Sequence, residues 1–406
     1  MSSKNRVFLI TALVYILYTL FPLFGDVIGI PVWLPSIATF SVMFVLYPKA
    51  FSNRTFGWFV VYALILACYF LTGRPLSIGI GSVGDGKKLL IEYAFILPTV
   101  SIFSILAFIR DNEITDKLIK WSVLILYVSF IVAVPLMLQY NSIREAMSIE
   151  NNEAIRIPGL PSYSLMHAYI LFLPVLCYSV RIFSGKNRLL ALLGLLALCF
   201  VIYDTFVSTS LALMIVVLFF TFIHSDKNSS MSWIVIFILG FVFFILYETG
   251  FFMSIIDWMM PAFEGTAVEP KLVDIKESMI QGHLTGSSIT GRQDHHAASI
   301  DAFLQNPILG GSHPGSHSSL MDRFGGMGII TGIPFVMIIF SFIKRMSRFY
   351  HTRMARTFFW VGILVGLVFL YHKGNWGCES WLFYFVLMPM GLLTVENRVK
   401  KTHHNR

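Results

Sequence analysis

Hydrophobic positions along the chain fall into long uninterrupted runs, and polar residues are confined to the stretches between them. About 20 consecutive apolar residues are enough to carry a helix across the hydrocarbon core of a bilayer. The pattern therefore predicts membrane-spanning helices in place of the amphipathic elements of a soluble fold. Twelve spans are predicted, at approximately 7–24, 28–47, 55–72, 89–109, 119–139, 163–180, 189–204, 207–223, 231–248, 325–343, 355–371 and 380–395.

Composition supports the membrane interpretation. The chain is 56% hydrophobic and 13% charged, whereas soluble domains average about 45–50% apolar and about 25% charged residues. The first apolar run follows Lys4 and Arg6, but it has no small-residue cleavage site and many similar runs follow, so it is predicted to be the first span and not a signal peptide. We expect an all-α integral membrane protein in which residues 1–406 form one polytopic domain.

The distribution of charge predicts the orientation in the membrane. With both termini in the cytoplasm, the cytoplasmic segments hold 20 of the 30 Lys and Arg residues but only five of the 22 Asp and Glu residues. Cytoplasmic loops carry an excess of Lys and Arg because of how helices insert. The formal charge of +8 is thus explained by topology, and no nucleic-acid partner is predicted.

Three segments on the predicted outer side are longer than a turn: 73–88, 140–162 and 249–324. The last is the largest, and the apolar residues within it follow helical spacing in two places, at Leu272, Ile275 and Met279 and again at Ile300, Phe303 and Leu304. A loop of this length is usually functional. We expect it to lie over the membrane domain as a cap that carries the catalytic residues.

Ten Lys and Arg residues lie on the outer side against the charge rule, and for most of them a solvated loop position is a sufficient explanation. Arg156 and Arg292 stand apart because each lies in a motif with other unusual features. The ten are Arg74, Lys87, Lys88, Arg144, Arg156, Lys271, Lys276, Arg292, Arg323 and Lys373.

Arg156 opens the sequence RIPGLPSYSLMHAY, in which Gly159 and Pro161 predict a turn just before a span. A guanidinium at the outer membrane surface can bind a phosphate through two parallel hydrogen bonds. The alternative is that Arg156 only anchors the helix at headgroup depth.

Arg292 follows Thr290-Gly291, which we interpret as a turn, and it would open a helix over 292–305 that ends at Asn306-Pro307. The N-terminus of a helix favours anions through its free N–H groups. An arginine there would add a full positive charge to a partial one.

His317 follows a loop at 310–316 whose glycines allow close approach to a ligand. Histidine is suited to proton transfer near neutral pH, and the alternative is an exposed loop histidine. His313 lies four residues earlier, the spacing of two zinc ligands on a helix. Pro314 and Gly315 lie between them and disfavour a helix there, so neither a metal nor another cofactor is predicted.

Two acidic residues lie in or beside predicted spans. Glu92 lies a few residues into a span, where a carboxylate is costly unless it is paired or functional. Lys87 and Lys88 are the partners predicted for it. Asp204 lies at an outer helix end, where a capping role and a functional role remain open.

These motifs resemble those of a known family, the O-antigen and capsular-polysaccharide polymerases of the Wzy type, to which the O-antigen ligases also belong. RIPGLPSYSLMHAY is similar to the family's Arg-x-x-Gly motif before a middle span. STSLALMI, residues 208–215, resembles its Thr-x-Ser-Arg helix start, although Leu211 stands where many members have arginine. The third likeness, to the family's outer-loop signature, consists of Gly291-Arg292, Asn306 to Gly310, His317-Ser318, Leu320 and Gly325 to Gly328.

The resemblance implies an inverting, metal-independent glycosyltransferase with a GT-C-like fold in the bacterial inner membrane, whose site faces the periplasm. It would transfer a glycan from undecaprenyl diphosphate to a lipid-linked repeat unit, within a membrane whose lipids surround it, and a chain-length regulator is the expected protein partner. In this scheme His317 would act on the acceptor hydroxyl. Arg292 and Arg156, with Lys87 and Lys88 available to replace the missing arginine, would hold the diphosphate. The expected sugar contacts are Asp294, His313 and Asp322.

Three other functions remain open from the sequence. A ligase that uses lipid A-core as acceptor would have the same fold and nearly the same chemistry. A transporter of polysaccharide or lipid would show internal repeats and broken helices with embedded charge, and the sequence predicts neither. The outer loop could also bind only a partner protein.

Overall fold

A computed structural model describes residues 1–21, 29–77, 84–139, 157, 159–160, 163–204, 208–223, 251–265, 269–281, 287–315, 318–372 and 377–404. All regular secondary structure within these ranges is helical. A helix satisfies its own backbone hydrogen bonds, which is a requirement for any segment surrounded by lipid.

The helices are numbered in chain order. The first half contains α1 (Ser3–Leu20), α2 (Trp33–Leu46), α3 (Arg54–Leu71), α4 (Asp85–Ile109), α5 (Asn112–Gln139), α6 (Tyr163–Tyr169), α7 (Leu173–Ile182), α8 (Gly185–Asp204) and α9 (Ser208–Ile223). The second half contains α10 (Phe251–Met259), α11 (Glu269–Gln281), α12 (Ser287–Gln305), α13 (Ser319–Met346), α14 (Arg353–His372), α15 (Cys378–Leu382) and α16 (Met388–His404). Short 3₁₀ segments occupy Pro48–Phe51, Ile170–Phe172 and Met260–Ala262.

The helical class predicted from the hydrophobic pattern is confirmed. Eleven of the predicted spans coincide with described helices, and the remaining one, 231–248, lies outside the described residues. Eight described helical segments are long and apolar enough to cross a membrane. The number of twelve spans and the GT-C architecture stay predictions.

The core lies where α13 packs along α3, α2 packs along α4, and the C-terminal helical segment runs through the middle. Aromatic rings fill the contact between α4, α13 and the C-terminal segment. The ring centroids of Phe342 and Phe385 are 4.3 Å apart, and those of Phe103 and Phe342 are 5.0 Å apart. Such pairs add packing energy to the burial of the rings themselves.

Several helices are discontinuous, contrary to the sequence prediction that the chain has no broken helices. Gly328 interrupts α13 with φ 64° and ψ −173°. The residues Phe383–Leu387 between α15 and α16 form a π-helical turn, a distortion that often accompanies functional sites. A buried charge lies five residues before the break, at Arg323.

The outer-loop helices α11 and α12 differ in part from their prediction. Both form at the predicted places, but α12 begins at Ser287, so Arg292 lies in its second turn and Thr290-Gly291 forms no turn before it. A glycine within a helix costs only about 1 kcal/mol, and Gly291 is therefore accommodated.

The buried face of α12 also differs from the predicted one. Ile300 and Leu304 are exposed, whereas Ser299 and Ala302 are buried against α13 and the loop before it. Small side chains at this face let the neighbouring backbone approach closely. The close approach of the backbones therefore decides which face of α12 is buried, and the apolar residues Ile300 and Leu304 stay exposed.

Candidate functional site

The structure describes the polar segment 306–328 apart from 316–317: residues 306–311 form a tight turn after α12, and the residues from Ser319 onward are the first part of α13. The first residue sets the turn, because the Asn306 side-chain Oδ1 accepts a hydrogen bond from Leu309 N at 3.0 Å and its carbonyl accepts one from Gly310 N at 2.7 Å. Gly310 has φ 79°, a conformation that residues with a Cβ rarely adopt.

The turn packs back onto the first part of α13. Gly311 N donates to Gly325 O at 2.9 Å, and Ile329 N donates to Pro307 O at 2.9 Å. The Tyr69 hydroxyl of α3 reaches the carbonyls of Leu309 and Met327, each at 3.0 Å. Since the break in α13 leaves backbone groups without helical partners, these bonds satisfy them from outside the helix.

Two glycines make this contact possible. A Cβ placed on Gly310 would lie 2.2 Å from the carbonyl carbon of Gly326, and one placed on Gly328 would lie 2.2 Å from Ile308 O. Neither distance leaves room for a side chain. The glycines of the resemblance motif are therefore required by packing in this structure.

Asp322 joins the end of the loop to α12. It is fully buried, and its Oδ1 accepts a hydrogen bond from the Ser299 hydroxyl at 2.7 Å while its Oδ2 accepts one from Ser318 N at 3.0 Å. Ser299 Oγ in turn accepts from Gly315 N at 3.0 Å. The residues on both sides of 316–317 are thus held in place through one serine and one carboxylate.

Arg323 joins the same turn of α13 to α3 and α4. Its Nη2 lies 2.6 Å from Glu92 Oε1 and its Nε donates to the Tyr62 hydroxyl at 2.9 Å, which itself donates to Glu92 Oε1 at 2.7 Å. Nη1 donates to Ser319 O at 2.6 Å, and the guanidinium lies 4.2 Å from the ring centre of Phe335. Both charged side chains are 2% exposed.

This network corrects the partner predicted for Glu92. The carboxylate pairs with Arg323 and not with Lys87 or Lys88, although Lys88 lies four residues before it on the same helix, a spacing that permits an ion pair. Lys88 pairs with Asp85 at 3.0 Å instead. A buried carboxylate is most stable beside a cation that is itself removed from water.

The segment before α4 and the first turn of α4 carry two cations, each in contact with a residue near the 306–328 segment. Lys88 Nζ donates to Leu76 O at 3.3 Å, and the next residue, Ser77, would be touched by a Cβ on Gly326. The guanidinium of Arg74 lies 5.8 Å from the ring centre of Tyr69, the residue that holds the turn. The predicted outer segments 73–88 and 249–324 therefore meet at this point.

The predicted site residues fall into three groups. His317 and Arg156 lie outside the described residues, and only the backbone of Arg292 is described. Four side chains are accessible, with Lys88 partly buried among them. Asp322 is buried with both oxygens bonded inside the protein, which gives it a positioning role in this structure and no open face for a sugar. The exposed candidates are Lys87, Asp294 and His313.

Two sequence motifs that are far apart in the chain come into contact. His167, the part of the RIPGLPSYSLMHAY motif that lies within α6, has its Nδ1 3.4 Å from the hydroxyl of Ser210 near the start of α9. Ser164 Oγ accepts a hydrogen bond from Gly377 N at 3.0 Å. Leu211, which departs from the family pattern, packs against the hydrophobic core.

One histidine of the outer loop, His296, packs against aromatic rings at the end of α14. The ring of His296 lies 4.8 Å from that of Tyr371 and 6.3 Å from that of His372. His313 to Gly315 is not helical, as Pro314 predicted. Within the described ranges, three His, Cys, Asp or Glu residues nowhere gather in a way that could hold a metal ion.

Sequence reasoning did not find Arg323, Tyr62, Tyr69 or Ser299 as parts of this site. One signal was available for the first: Arg323 is an outer cation directly beside a predicted span, and Glu92 is a carboxylate inside another, so each needed a partner of opposite charge.

Comparison with known proteins finds no matching family model and no matching curated protein.

Proposed function

We propose that this protein is a Wzy-type polysaccharide polymerase, a glycosyltransferase of the bacterial cytoplasmic membrane. It would transfer a growing O-antigen or capsular glycan from undecaprenyl diphosphate to a lipid-linked repeat unit at the outer face of that membrane. The observation that supports this best is the turn just before the His-Ser motif, which Tyr69 holds against α13 beside Arg74, with Lys88 bonded to the neighbouring carbonyl of Leu76.

The chemistry requires a fixed base and fixed cations. The acceptor hydroxyl oxygen attacks the anomeric carbon of the donor sugar, the bond from that carbon to the phosphate oxygen breaks, and the diphosphate leaves with the electron pair. His317 would take the hydroxyl proton. Cations held in place before the reaction stabilise the charge that develops on the leaving group.

The anchors explain why such a base would be well positioned. Ser318 caps α13 and is 1% exposed, Gly315 is bonded to Ser299, and Asp322 and Arg323 join the following turn to three other helices. A catalytic group is effective only when neighbouring contacts hold it within a fraction of an ångström of its working position. His317 lies between two such fixed points in the sequence.

Arg74 and Lys88 are the described cations that fit the role of holding the diphosphate. Arg292 and Arg156 remain candidates on the grounds of sequence. Lys87 is exposed one residue from Lys88. In this proposal these cations together replace the arginine that many family members carry where this chain has Leu211.

The test is reconstitution of the purified protein in lipid nanodiscs with a synthetic undecaprenyl-diphosphate-linked repeat unit. We expect a ladder of lipid-linked products without added metal. His317→Ala and Arg292→Ala should each prevent visible ladder formation, and loss of the base should lower the rate by about 10²-fold or more. His403→Ala in the C-terminal tail should leave the rate unchanged. Full activity of both site variants would refute the site assignment, and inhibition by a chelator would refute metal independence.

Deletion of the gene separates the polymerase from the ligase alternative. A polymerase mutant keeps single repeat units on its surface lipid and lacks long chains. A ligase mutant accumulates polymer on the carrier lipid. The second outcome would assign lipid A-core as the acceptor and leave the site residues as proposed.

Transport of a lipid-linked polysaccharide is the second candidate, and one observation favours it. The break at Gly328 and the buried Arg323–Glu92 pair are features that transporters use at their binding sites. A transporter would move the lipid-linked repeat across a proteoliposome membrane and would form no new glycosidic bond. Product formation in the ladder assay therefore decides between the two.

A further inference from the structure

A second site lies at the other end of the bundle, away from the 306–328 segment. A cavity of about 1260 Å³ opens there between the start of α3, the end of α4, the end of α13 and the C-terminal helix α16. The helix α13 runs from one site to the other, and at a rise of 1.5 Å per residue the part after its break at Gly328 spans about 27 Å. This is the end that the charge pattern predicts to be cytoplasmic.

The cavity is lined by cations without a lining carboxylate among the described residues. Three of the cations belong to the end of α13 and the turn after it, one begins α3, and one follows α4. They are Arg54, Arg110, Lys344, Arg345 and Arg348. Several positive charges that share one concave surface produce a field that attracts an anion.

Two acidic residues that neighbour lining residues in the sequence, Asp111 and Glu396, bond to backbone groups. Asp111 Oδ1 accepts hydrogen bonds from Glu113 N at 2.8 Å and from Ile114 N at 3.3 Å at the start of α5. Glu396 Oε1 accepts from the backbone nitrogens of His351, at 2.9 Å, and Thr352. These carboxylates stabilise helix ends and do not enter the cavity lining.

Two of the cations are held by aromatic rings while the others extend into solvent. The guanidinium of Arg345 lies 5.8 Å from the ring centre of Phe103 and donates to Ala107 O at 3.3 Å. That of Arg110 lies 5.7 Å from the ring centre of Phe349. Rings and carbonyls thus orient part of the charge before any ligand binds.

The cavity also has an apolar side. Trp58, Leu106, Phe340 and Leu393 contribute to its lining, and Phe340 is 54% exposed on the surface of α13. The positive-inside rule explains that Lys and Arg are frequent at this end, but it does not require them to converge on a concave surface that has an apolar wall.

We propose that this cavity binds the phosphate headgroup of an anionic membrane lipid, with the upper part of the acyl chains against the apolar wall. A lipid with a phosphate headgroup and two acyl chains fits both sides of the cavity. Basic pockets between membrane helices on the cytoplasmic side bind acidic headgroups, and the apolar wall can contact the chains. A free phosphate compound would use only the cationic part. The proposal does not depend on the glycosyltransferase activity, because it concerns different residues at the other end of the bundle.

The test uses the purified full-length protein in nanodiscs of phosphatidylcholine, with phosphatidylglycerol titrated in and bound lipid counted by native mass spectrometry. We expect retention of phosphatidylglycerol over phosphatidylcholine. The double variant Lys344→Gln with Arg348→Gln should weaken it on the order of tenfold or more, since each Lys or Arg near an anionic surface contributes about fivefold. The charge-retaining pair Lys344→Arg with Arg348→Lys should bind as the parent protein does, which shows that the effect is electrostatic.

A matched control removes the same charge outside the cavity. Lys120 and Arg353 are exposed at the same end and do not line the cavity, so Lys120→Gln with Arg353→Gln should change retention less than about twofold. An equal loss in this control would reduce the effect to general surface charge and overturn the proposal. Displacement of the lipid by inorganic pyrophosphate in the absence of any preference between the two lipids would assign the cavity to a free anion instead.

Discussion

Replacement of Glu92 by glutamine should destabilise the protein far more than the same replacement at an exposed ion pair. Glutamine keeps the size of the side chain and one acceptor oxygen, but it leaves the buried guanidinium of Arg323 without a counter-charge. Removal of one partner of a buried pair costs about 3–5 kcal/mol. An independent estimate agrees, since two unit charges about 4 Å apart interact by roughly 4 kcal/mol at an effective dielectric constant of 20.

The chain contains a matched control for this prediction. Lys117 and Glu113 are also 2.6 Å apart, but their side chains are 44% and 59% exposed, against 2% for Arg323 and for Glu92. Because water screens the exposed pair, Glu113→Gln should cost less than about 1 kcal/mol. The two variants therefore compare the same substitution at the same distance and differ in burial.

The measurement is equilibrium unfolding in mixed micelles of dodecyl maltoside and sodium dodecyl sulfate, followed by tryptophan fluorescence. A double variant, Glu92→Leu with Arg323→Met, removes both charges at once and should be much more stable than the sum of the single changes predicts, by about 2 kcal/mol or more. The reasoning fails if Glu92→Gln is within about 0.5 kcal/mol of the parent protein, or if the two single losses add without coupling.

Three further changes test how the 306–328 segment is held. Asp322→Asn leaves one carboxylate acceptor unreplaced, so we expect a loss of about 1–3 kcal/mol and faster hydrogen exchange at the start of α13, measured by mass spectrometry; unchanged exchange would contradict the positioning role. Gly310→Ala should lower both stability and activity well below Gly73→Ala, because both glycines have positive φ but only Gly310 faces backbone within 2.2 Å; equal Tm values for the two variants would show that the close contact is unimportant. Tyr69→Phe removes the donor to two turn carbonyls and should cost about 1 kcal/mol in the micelle unfolding assay, and a neutral result would mean that water replaces the hydroxyl.

The break at Gly328 connects stability to the proposed chemistry. In a continuous helix, residues 319–327 and 329–346 would share one axis and the carbonyls of α13 would all be bonded within the helix. The turn at 306–311 would then have no free α13 carbonyl to bind. The break instead provides backbone groups that Pro307 and Tyr69 satisfy. The helix break therefore provides the backbone groups through which the turn at 306–311 binds α13.

The sequence alone determined where helices form and which ends of them carry charge. Long apolar runs can only become helices in lipid, because each backbone group needs a partner inside its own segment, and this requirement is local. The turn at Asn306 to Gly311 and the absence of helix at His313 to Gly315 were readable for the same reason, since proline, glycine and asparagine act on their own backbone.

Tertiary structure alone decided which residues act together. Glu92 and Arg323 are 231 positions apart in the chain, and no pattern of neighbouring residues reports a partner at that distance. The predicted lysine partners were the nearest in sequence, but burial selects the cation that shares the dry interior. The face of α12 was likewise decided by close contact with glycines of another element and not by its own hydrophobic residues. Position along the chain predicts local backbone structure, whereas pairing between charges depends on how the helices pack.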